Sequence, residues 1–310
     1  MAAPPKKTQP RASHDRTRAF YTPRDKIMRI LNLSYHNVPN LPEHEMLHRS
    51  ILDIRRVGWI PFIGQIQAFA PDLIIEREYN DSVALYTKLY EAFPKVHKAW
   101  WWIDAHVLYE YRKPYARNFD TLFLAVSRFV DKAQAEIGRR AFWLPLCCPW
   151  EASGCIPPPP VKDLDIVFVA RTNPVKSFGR RLAAIADMNG AFGEQFLYRE
   201  TPDMVNLVRR AKVGFNNAYN QDLNFRVFET LGLGTELLTD NVPDLWDIPG
   251  LADKINVYDN RNEMIEMAQH MLDGNLLHLM DHTQEWIRKN HCIEHRYRQM
   301  IKEIQCNGLI

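Results

Sequence analysis

Hydrophobic positions along this chain fall into short apolar runs separated by longer amphipathic stretches. In the first half, the apolar runs predict strands over residues 26–34, 71–75, 97–103, 119–125 and 141–146, and the amphipathic stretches predict helices over 43–57, 82–93 and 128–137. The second half repeats this alternation, with strands predicted over 165–170, 195–198, 212–216, 236–239 and 254–258, and helices over 180–188, 202–211, 224–233 and from 263 onward. Because strands that alternate with helices pair in parallel, the order predicts an α/β protein with two doubly wound sheets.

A run of four prolines, Pro157 to Pro160, interrupts the alternation. Proline lacks the backbone N–H that a helix or a central strand requires, so the run predicts a stiff extended linker. We therefore divide the chain into a disordered basic tail (1–20), a first domain (21–150), the linker (151–162), a second domain (163–285) and a C-terminal helix (286–310) that packs back toward the first domain. Ligands of such sheets bind at the carboxyl ends of the strands, which predicts a cleft between the domains.

The composition is that of a globular protein whose basic residues are unevenly distributed. Hydrophobic residues make up 46% of the chain and charged residues 25%, and the formal net charge is only +2. Eight lysines and arginines nevertheless fall within residues 6–29, against two aspartates, so the remainder of the chain is mildly acidic. This cluster is the feature of the sequence that would favour a polyanionic partner.

Neither a membrane span nor a secretory signal is predicted. No apolar stretch approaches the ~20 residues that cross a bilayer, and no apolar run follows the basic residues near the N-terminus. The cysteines show no C-x-x-C spacing, and their odd number fits reduced thiols; they are Cys147, Cys148, Cys155, Cys292 and Cys306. We therefore expect a cytoplasmic protein in which the adjacent pair Cys147-Cys148 ends a buried strand rather than belonging to a metal site.

Several common catalytic motifs are missing from the sequence. It contains no G-x-G-x-x-G after the first strand of either half, no G-x-x-x-x-G-K-[ST] loop and no G-x-S-x-G nucleophile elbow. Residues 44–48 match the zinc motif H-E-x-x-H, with Glu76 or Glu78 as a third ligand, and residues 163–165 match the D-x-D of metal-dependent glycosyltransferases. The first match lies on a predicted surface helix and the second opens a strand, so we predict no bound metal.

The strongest chemical signal lies in residues 224–234. A predicted helix begins at Asn224 after a polar loop, and the free N–H groups and positive dipole of a helix N-terminus suit a diphosphate. Glu229, one turn later, can accept two hydrogen bonds from a ribose diol, and Gly232 and Gly234 would allow close backbone approach. The alternative is an ordinary amphipathic helix in which Glu229 is solvated and the glycines only end the helix.

The wider sequence resembles the retaining GT-B glycosyltransferases, and most closely their CgeB-like, spore-maturation-type branch. The family's D-L-N-x-R-x-F-E-x-x-A-x-G helix stands here as DLNFRVFETLGLG over residues 222–234, and its L-L-T-D strand end stands at 237–240. Further segments similar to family landmarks are WIDAH (102–106), FWLPL (142–146), YRETPDM (198–204) and NHCIEHR (290–296). The resemblance implies a GT-B fold, in which two Rossmann-like domains face a central cleft, with the acceptor on the first and the nucleotide sugar on the second.

The resemblance also implies roles for individual residues. Glu229 would bind the ribose, Asn224 the donor at the helix N-terminus, and Tyr198 would close over the nucleobase. The family's first glutamate falls on Gln221, which leaves Gln221 or Asp222 for the donor sugar. Candidates to neutralise the diphosphate are Arg171, Lys176 and Arg226, with Arg180 as a substitute, although Arg180 and Arg181 are also typical of a helix surface.

The catalytic candidates implied by the resemblance are His106, Asp104 and Arg226. His106 follows a strand and would face the donor sugar, whereas Asp104 is either the rival candidate for that role or a cap of the following helix. Tyr35 and His36 would contact the diphosphate or the acceptor, unless they are ordinary loop residues. Retaining enzymes of this fold use no obvious protein nucleophile, so no catalytic base is assigned.

The resemblance implies transfer of a sugar from a nucleotide-diphosphate donor, with a UDP-sugar expected, to a hydroxyl acceptor, without metal. The acceptor would be a glycan, a protein, a small molecule or a hydroxymethylated base in DNA, the last because of the basic residues 6–29. Two alternatives stay open. One is a non-catalytic protein that kept the fold, for which Gln221 and Ala170 would be the signs, and the other is a DNA-binding module without sugar chemistry.

Overall fold

Helices and strands alternate through both halves of the molecule. The computed structural model describes residues 27–34, 39–77, 83–156, 159, 161–172, 179–275 and 280–310. The first half contains β1 (Arg29–Leu33), β2 (Glu45–Arg49), α1 (Ile51–Val57), α2 (Trp59–Phe69), β3 (Leu73–Arg77), α3 (Val83–Ala92), β4 (His97–Trp102), α4 (Ala105–Ala116), β5 (Thr121–Leu124), α5 (Val130–Ile137) and β6 (Arg140–Trp143). The second half contains β7 (Leu164–Val169), α6 (Gly179–Phe192), β8 (Phe196–Arg199), α7 (Met204–Arg210), β9 (Ala211–Asn216), α8 (Phe225–Gly232), β10 (Glu236–Asp240), β11 (Asn256–Tyr258), α9 (Arg261–Leu272), α10 (Met280–Asn290) and α11 (Ile293–Cys306).

The strands form two sheets in which neighbouring strands run parallel. The strand order is β2-β1-β3-β4-β5-β6 in the first sheet and β11-β10-β9-β7-β8 in the second. Each sheet reverses its winding direction beside its first strand, which is where ligands of such folds bind. The predicted α/β class with two parallel sheets is confirmed.

Strand β4 illustrates how an apolar run builds the core. Trp100, Trp101 and Trp102 are fully buried, and successive side chains of a strand point to opposite faces. Trp100 and Trp102 stack on one face with ring centroids 4.7 Å apart. Trp101 lies in the cluster on the other face, which also contains Phe228 of α8 and Tyr297 of α11. One hydrophobic core therefore joins the first sheet to two helices of the second half.

The predicted helix over residues 43–57 is wrong in its first part. Glu45–Arg49 is the edge strand β2, and helix α1 begins only at Ile51. The helix start is fixed by Ser50, whose backbone N–H donates to the Asp53 carboxylate at 2.7 Å. Pairing with β1 decides the conformation of β2 because its side chains are only half-buried, so its hydrophobic pattern is weak. Helices α2 and α4 lie outside the elements that the pattern predicts.

Helix α11 carries the chain back from the second sheet to the first. The Tyr297 hydroxyl donates to the Asn32 side-chain oxygen of β1 at 2.7 Å, and the Arg296 Nε donates to the Pro145 carbonyl at 2.8 Å. Arg298 adds an ion pair with Glu43. These contacts fix the C-terminal helix against the first sheet. Within the described ranges, no helix combines the length and the apolarity needed to span a membrane.

Candidate active site

A cleft of about 620 Å³ opens at the carboxyl ends of the two sheets. The first half contributes the segment that follows β4, and the second half contributes the end of β7, the loop after β9 and the first turns of α8. Its lining includes eight polar or charged side chains that the following paragraphs use: Asp104, His106, Arg171, Arg181, Asp222, Asn224, Arg226 and Glu229. The topology thus brings together residues that lie more than a hundred positions apart.

Helix α8 directs its N-terminus into this cleft. Asn224 is its N-cap residue, with φ −85° and ψ 169°, yet its side chain makes no cap hydrogen bond to the helix. The Asn224 side-chain amide instead donates to the Asn216 oxygen at 3.2 Å, and the Asn224 Oδ1 has no partner among the described residues. The uncapped N–H groups of the first turn and the helix dipole suit an anionic ligand.

The amphipathic pattern of α8 sets which of its side chains face the cleft. Val227, Phe228 and Leu231 are buried in the shared core, which leaves Arg226 and Glu229 on the cleft side, one turn apart. Their side chains form an ion pair with Nη1 and Oε2 3.0 Å apart. Burial raises the pKa of Glu229 and lowers that of Arg226, and in each case the charge of the partner opposes the shift. The site therefore holds a paired carboxylate and guanidinium in a partly dry environment.

Asp222 and His106 meet across the cleft from the two halves. The His106 Nε2 lies 3.8 Å from the Asp222 Oδ2, and both side chains are almost fully buried. Burial raises the pKa of Asp222 to about 7 and lowers the pKa of His106 to about 4. Near neutral pH the contact is thus between a neutral imidazole and a half-protonated carboxyl group. The Asp222 Oδ1 and the His106 Nδ1 have no hydrogen-bond partner among the described residues, as expected of groups that a polar ligand satisfies.

The loop before α8 decides which side chain at positions 221 and 222 enters the cleft. Asn220 and Gln221 both have left-handed φ values, 54° and 56°. Arg128 of the first half holds this turn by donating to the Asn220 carbonyl at 2.9 Å and to the Gln221 carbonyl at 3.2 Å. As a result Gln221 is exposed and Asp222 lines the cleft. Of the two residues offered for the donor sugar, the structure places Asp222 in the cleft.

Asp104 also lines the cleft but does not cap the helix that follows it. It occupies the N-cap position of α4 without a side-chain cap hydrogen bond, and its carboxylate lies 3.9 Å from Arg112. His106 follows strand β4 and lies in the first turn of α4. The carboxylate of Asp104 is half-exposed, which makes it more accessible to solvent than Asp222.

The arginines near the end of β7 are arranged differently from the prediction. Arg181 is not an ordinary surface residue of its helix, because it lines the cleft and donates to the Asn217 and Arg171 carbonyls at 2.8 and 3.1 Å. Arg171 lines the cleft with an exposed side chain, whereas Arg180 is exposed and borders a separate pocket. Lys176 lies outside the described residues, as do Tyr35 and His36.

Tyr198 is not part of the described lining of the cleft. Its hydroxyl lies 2.8 Å from the Thr172 hydroxyl, 2.8 Å from the Glu200 Oε1 and 3.2 Å from the Ala170 carbonyl oxygen. These bonds connect the ends of β7 and β8. Its assignment to the nucleobase stays a prediction.

Gly232 approaches a different group from the one its motif suggested. A Cβ at this position would lie 2.9 Å from the Cys148 sulfur, so the close contact is with a cysteine rather than with a nucleotide. Gly234 has φ 70°, a left-handed conformation that favours glycine just beyond the end of α8.

Neither metal motif of the sequence has the geometry of a metal site. Because His48 lies on strand β2 and His44 just before it, four residues of extended chain separate them by roughly 13 Å. Asp163 is ion-paired with Arg210, and Asp165 with Lys212 at 2.7 Å. The extended spacing of the two histidines and the ion pairs of the two aspartates favour ordinary structural roles for these residues.

Comparisons with known proteins identify the fold. Residues 178–302 match the model of a family described as glycosyl transferase-like. The structure of Anabaena HepE in complex with UDP and glucose superposes with a TM-score of 0.59 at 9% identity, over 90% of this chain and 100% of that chain. A glycosyltransferase from Rickettsia africae gives 0.52 at 10% identity over 90% and 99%, and sucrose-phosphate synthase from Thermosynechococcus elongatus gives 0.52 at 10% identity over 91% and 89%. None of the curated proteins compared with the sequence matches it significantly.

The fold is that of the GT-B glycosyltransferase structures, and the glycosyl transferase-like family model matches the second half of the chain. The predicted fold, two Rossmann-like units that face a cleft, is confirmed by its similarity to these structures.

Proposed function

We propose that the protein transfers a sugar from a UDP-sugar to a hydroxyl acceptor, with retention at the anomeric carbon and without a metal ion in the donor site. The observation that carries the proposal is that three buried polar atoms without described partners belong to residues that line the same cleft as the uncapped N-terminus of α8: Asp222 Oδ1, Asn224 Oδ1 and His106 Nδ1. Buried polar groups without partners are rare in native proteins, so they favour a polar ligand at this position. UDP is the nucleotide bound to Anabaena HepE, which has the same fold.

In this proposal α8 binds the nucleotide part of the donor. Glu229 accepts hydrogen bonds from the ribose hydroxyls, and the diphosphate lies at the helix N-terminus beside Asn224. Arg226, Arg181 and Arg171 supply positive charge on the diphosphate side, with Lys176 as a further candidate. Two of these guanidinium groups line the cleft with partly buried side chains, and this is the ground for a donor site that works without metal.

The reacting sugar lies between Asp222 and His106. The bond from the anomeric carbon to the diphosphate oxygen breaks, and the acceptor oxygen attacks the same face, giving its proton to the departing phosphate. His106 steadies positive charge at the reacting carbon, and Asp222 hydrogen-bonds a sugar hydroxyl. Asp104, at the edge of the cleft, is the second candidate on the side of the first half. The first domain (21–150) binds the acceptor, and the second domain (163–285) binds the donor.

A hydroxymethylated base in DNA is the acceptor that the basic residues 6–29 favour, since clustered lysines and arginines bind phosphates with release of counterions. Most of this segment lies outside the described residues. Glycans, proteins and small molecules are the other acceptors to test.

We also propose that the protein belongs to the CgeB-like branch, on the motifs at residues 222–234 and 237–240. We further propose that it acts in the cytoplasm, since all five cysteines are free.

The test is a panel of UDP-, GDP-, ADP- and dTDP-sugars in calorimetry, followed by mass spectrometry with hydroxymethyl-DNA, glycans or water as acceptors. We expect UDP-sugars to bind and to release UDP with transfer, in the presence of EDTA. Binding without turnover on any acceptor would favour a non-catalytic protein. Salt-dependent retention on DNA that persists in Glu229→Ala, without donor binding, would favour a DNA-binding module.

A further inference from the structure

Three cysteines from distant parts of the chain meet in the interior. Cys148 follows β6, Cys155 lies in the segment between the two sheets and Cys292 precedes α11, and all three are buried. The Cys155 sulfur lies 3.7 Å from the Cys148 sulfur and 3.5 Å from the Cys292 sulfur, and all three sulfurs lie within 4.8 Å of one another. None of them lines the donor cleft. We call these residues the thiol triad.

The spacing of the triad fits a metal better than a disulfide. Sulfurs that occupy corners of a tetrahedral zinc site, with Zn–S bonds of about 2.3 Å, lie about 3.8 Å apart. A disulfide requires about 2.05 Å between the sulfurs, so either close pair would have to approach by more than an ångström. The backbone holds two members together, because Cys148 and Cys292 form a parallel β-bridge and the Cys148 N–H donates to the His291 carbonyl at 2.7 Å.

A buried carboxylate beside the triad lacks a partner on one oxygen. Glu294 is 8% exposed, and its Oε1 accepts the Ala152 N–H at 2.9 Å. Its Oε2 is buried with no hydrogen-bond partner among the described residues. A Glu294 carboxylate oxygen, the Cys292 sulfur and a His295 ring nitrogen lie within 4.8 Å of one another. This second group shares only Cys292 with the triad, so the Glu294 side chain would have to turn toward Cys148 and Cys155 to bind a cation held by all three thiols. An unpaired buried carboxylate oxygen is costly, and binding a cation would satisfy it.

We propose that Cys148, Cys155 and Cys292 bind one structural Zn²⁺, with the Glu294 side chain turning in as the fourth ligand. Three thiolates and a carboxylate oxygen supply four ligands of the kinds that zinc takes in proteins. The ion would cross-link three segments at the junction of the two sheets. It would also support the end of α8, since the Cys148 sulfur lies against Gly232. This site does not depend on the proposed sugar transfer, because its residues are separate from the donor cleft.

The test is elemental analysis of the reduced full-length protein, supplied with zinc and then freed of loosely bound metal. We expect one zinc per chain, and an ultraviolet thiolate-to-metal charge-transfer band when cobalt replaces zinc. Cys148→Ser, Cys155→Ser and Cys292→Ser should each lose the ion. Cys147→Ser, a buried neighbour outside the triad, and Cys306→Ser, at an exposed position, should keep it. Glu294→Gln should lower the affinity at least about tenfold and keep the charge-transfer band.

The wild-type protein alone can overturn the proposal, so the test does not depend on whether the serine variants fold. Absence of zinc after supply, absence of the cobalt band, or a disulfide within the triad in protein purified without oxidant would each refute it. Equal zinc content in the triad variants and in the Cys147 and Cys306 controls would also refute it. If zinc-loaded wild-type protein does not bind UDP-sugars, the proposed transfer is contradicted and the zinc proposal is unaffected.

Discussion

Replacing Asp222 by asparagine should stabilise the protein at alkaline pH while it abolishes sugar transfer. The Asp222 carboxyl is about nine-tenths buried, and its pKa is raised from 3.8 to about 7 chiefly by that burial. The folded state therefore holds the proton more tightly than the unfolded state, so stability falls as the pH rises from about 4 through about 7. A difference of about 3 pKa units at 1.36 kcal/mol each sets an upper bound of about 4 kcal/mol on this loss. Relaxation of the site reduces it, and we expect a gain of at least about 1 kcal/mol for Asp222→Asn above pH 7.

The assay is urea unfolding of wild type and Asp222→Asn between about pH 5 and about pH 8, with the free energy of unfolding extrapolated to zero denaturant. The difference in free energy of unfolding between the two proteins should increase with pH and level off above about pH 7. Asp247→Asn, at an exposed position, is the matched control for replacing a carboxylate by an amide. A pH-independent gap for Asp222→Asn would refute the burial argument, and full transferase activity in that variant would remove Asp222 from the sugar site.

Three further predictions test the donor helix and its surroundings. Glu229→Ala should weaken UDP binding by roughly 1.5–3 kcal/mol for each hydrogen bond lost, measured by calorimetry against the exposed control Glu303→Ala; equal affinities would exclude the ribose role. His106→Gln should lower turnover. Because the pKa of His106 is lowered to about 4, wild type should lose stability as the pH falls below about 6.5, and His106→Gln should remove this loss. An unchanged fall in the free energy of unfolding at acid pH would contradict this. Gly214→Ala should destabilise the protein by about 1–3 kcal/mol in urea unfolding, since its Cβ would clash with the Thr230 methyl. Thr230→Ser should rescue the stability, and absence of rescue would contradict a clash with that methyl.

The sequence alone determined the architecture, because the architecture depends on local periodicity. Fully buried strands such as β3 and β4 appear as apolar runs, and amphipathic helices such as α8 show their period whatever packs against them. Edge strand β2 was misassigned because its half-buried side chains carry little pattern, and its conformation depends on pairing with a distant strand. Helix α8 and Glu229 were predicted because their signal is contiguous in the chain.

Contacts between distant residues could be decided only by the tertiary structure. Asp222 rather than Gln221 lines the cleft because the preceding turn is left-handed. Arg128 holds this turn through the Asn220 carbonyl, although the two residues lie ninety-two positions apart. Arg181 looked like a helix-surface residue, since nothing near it in sequence shows that two carbonyl oxygens and the cleft surround it. The thiol triad has no motif spacing, because Cys155 and Cys292 are separated by 137 positions and are joined by the packing of α11 against the first sheet. Hydrophobic periodicity is a property of one segment, whereas a site is formed by several segments. Only the folded chain determines which segments come into contact.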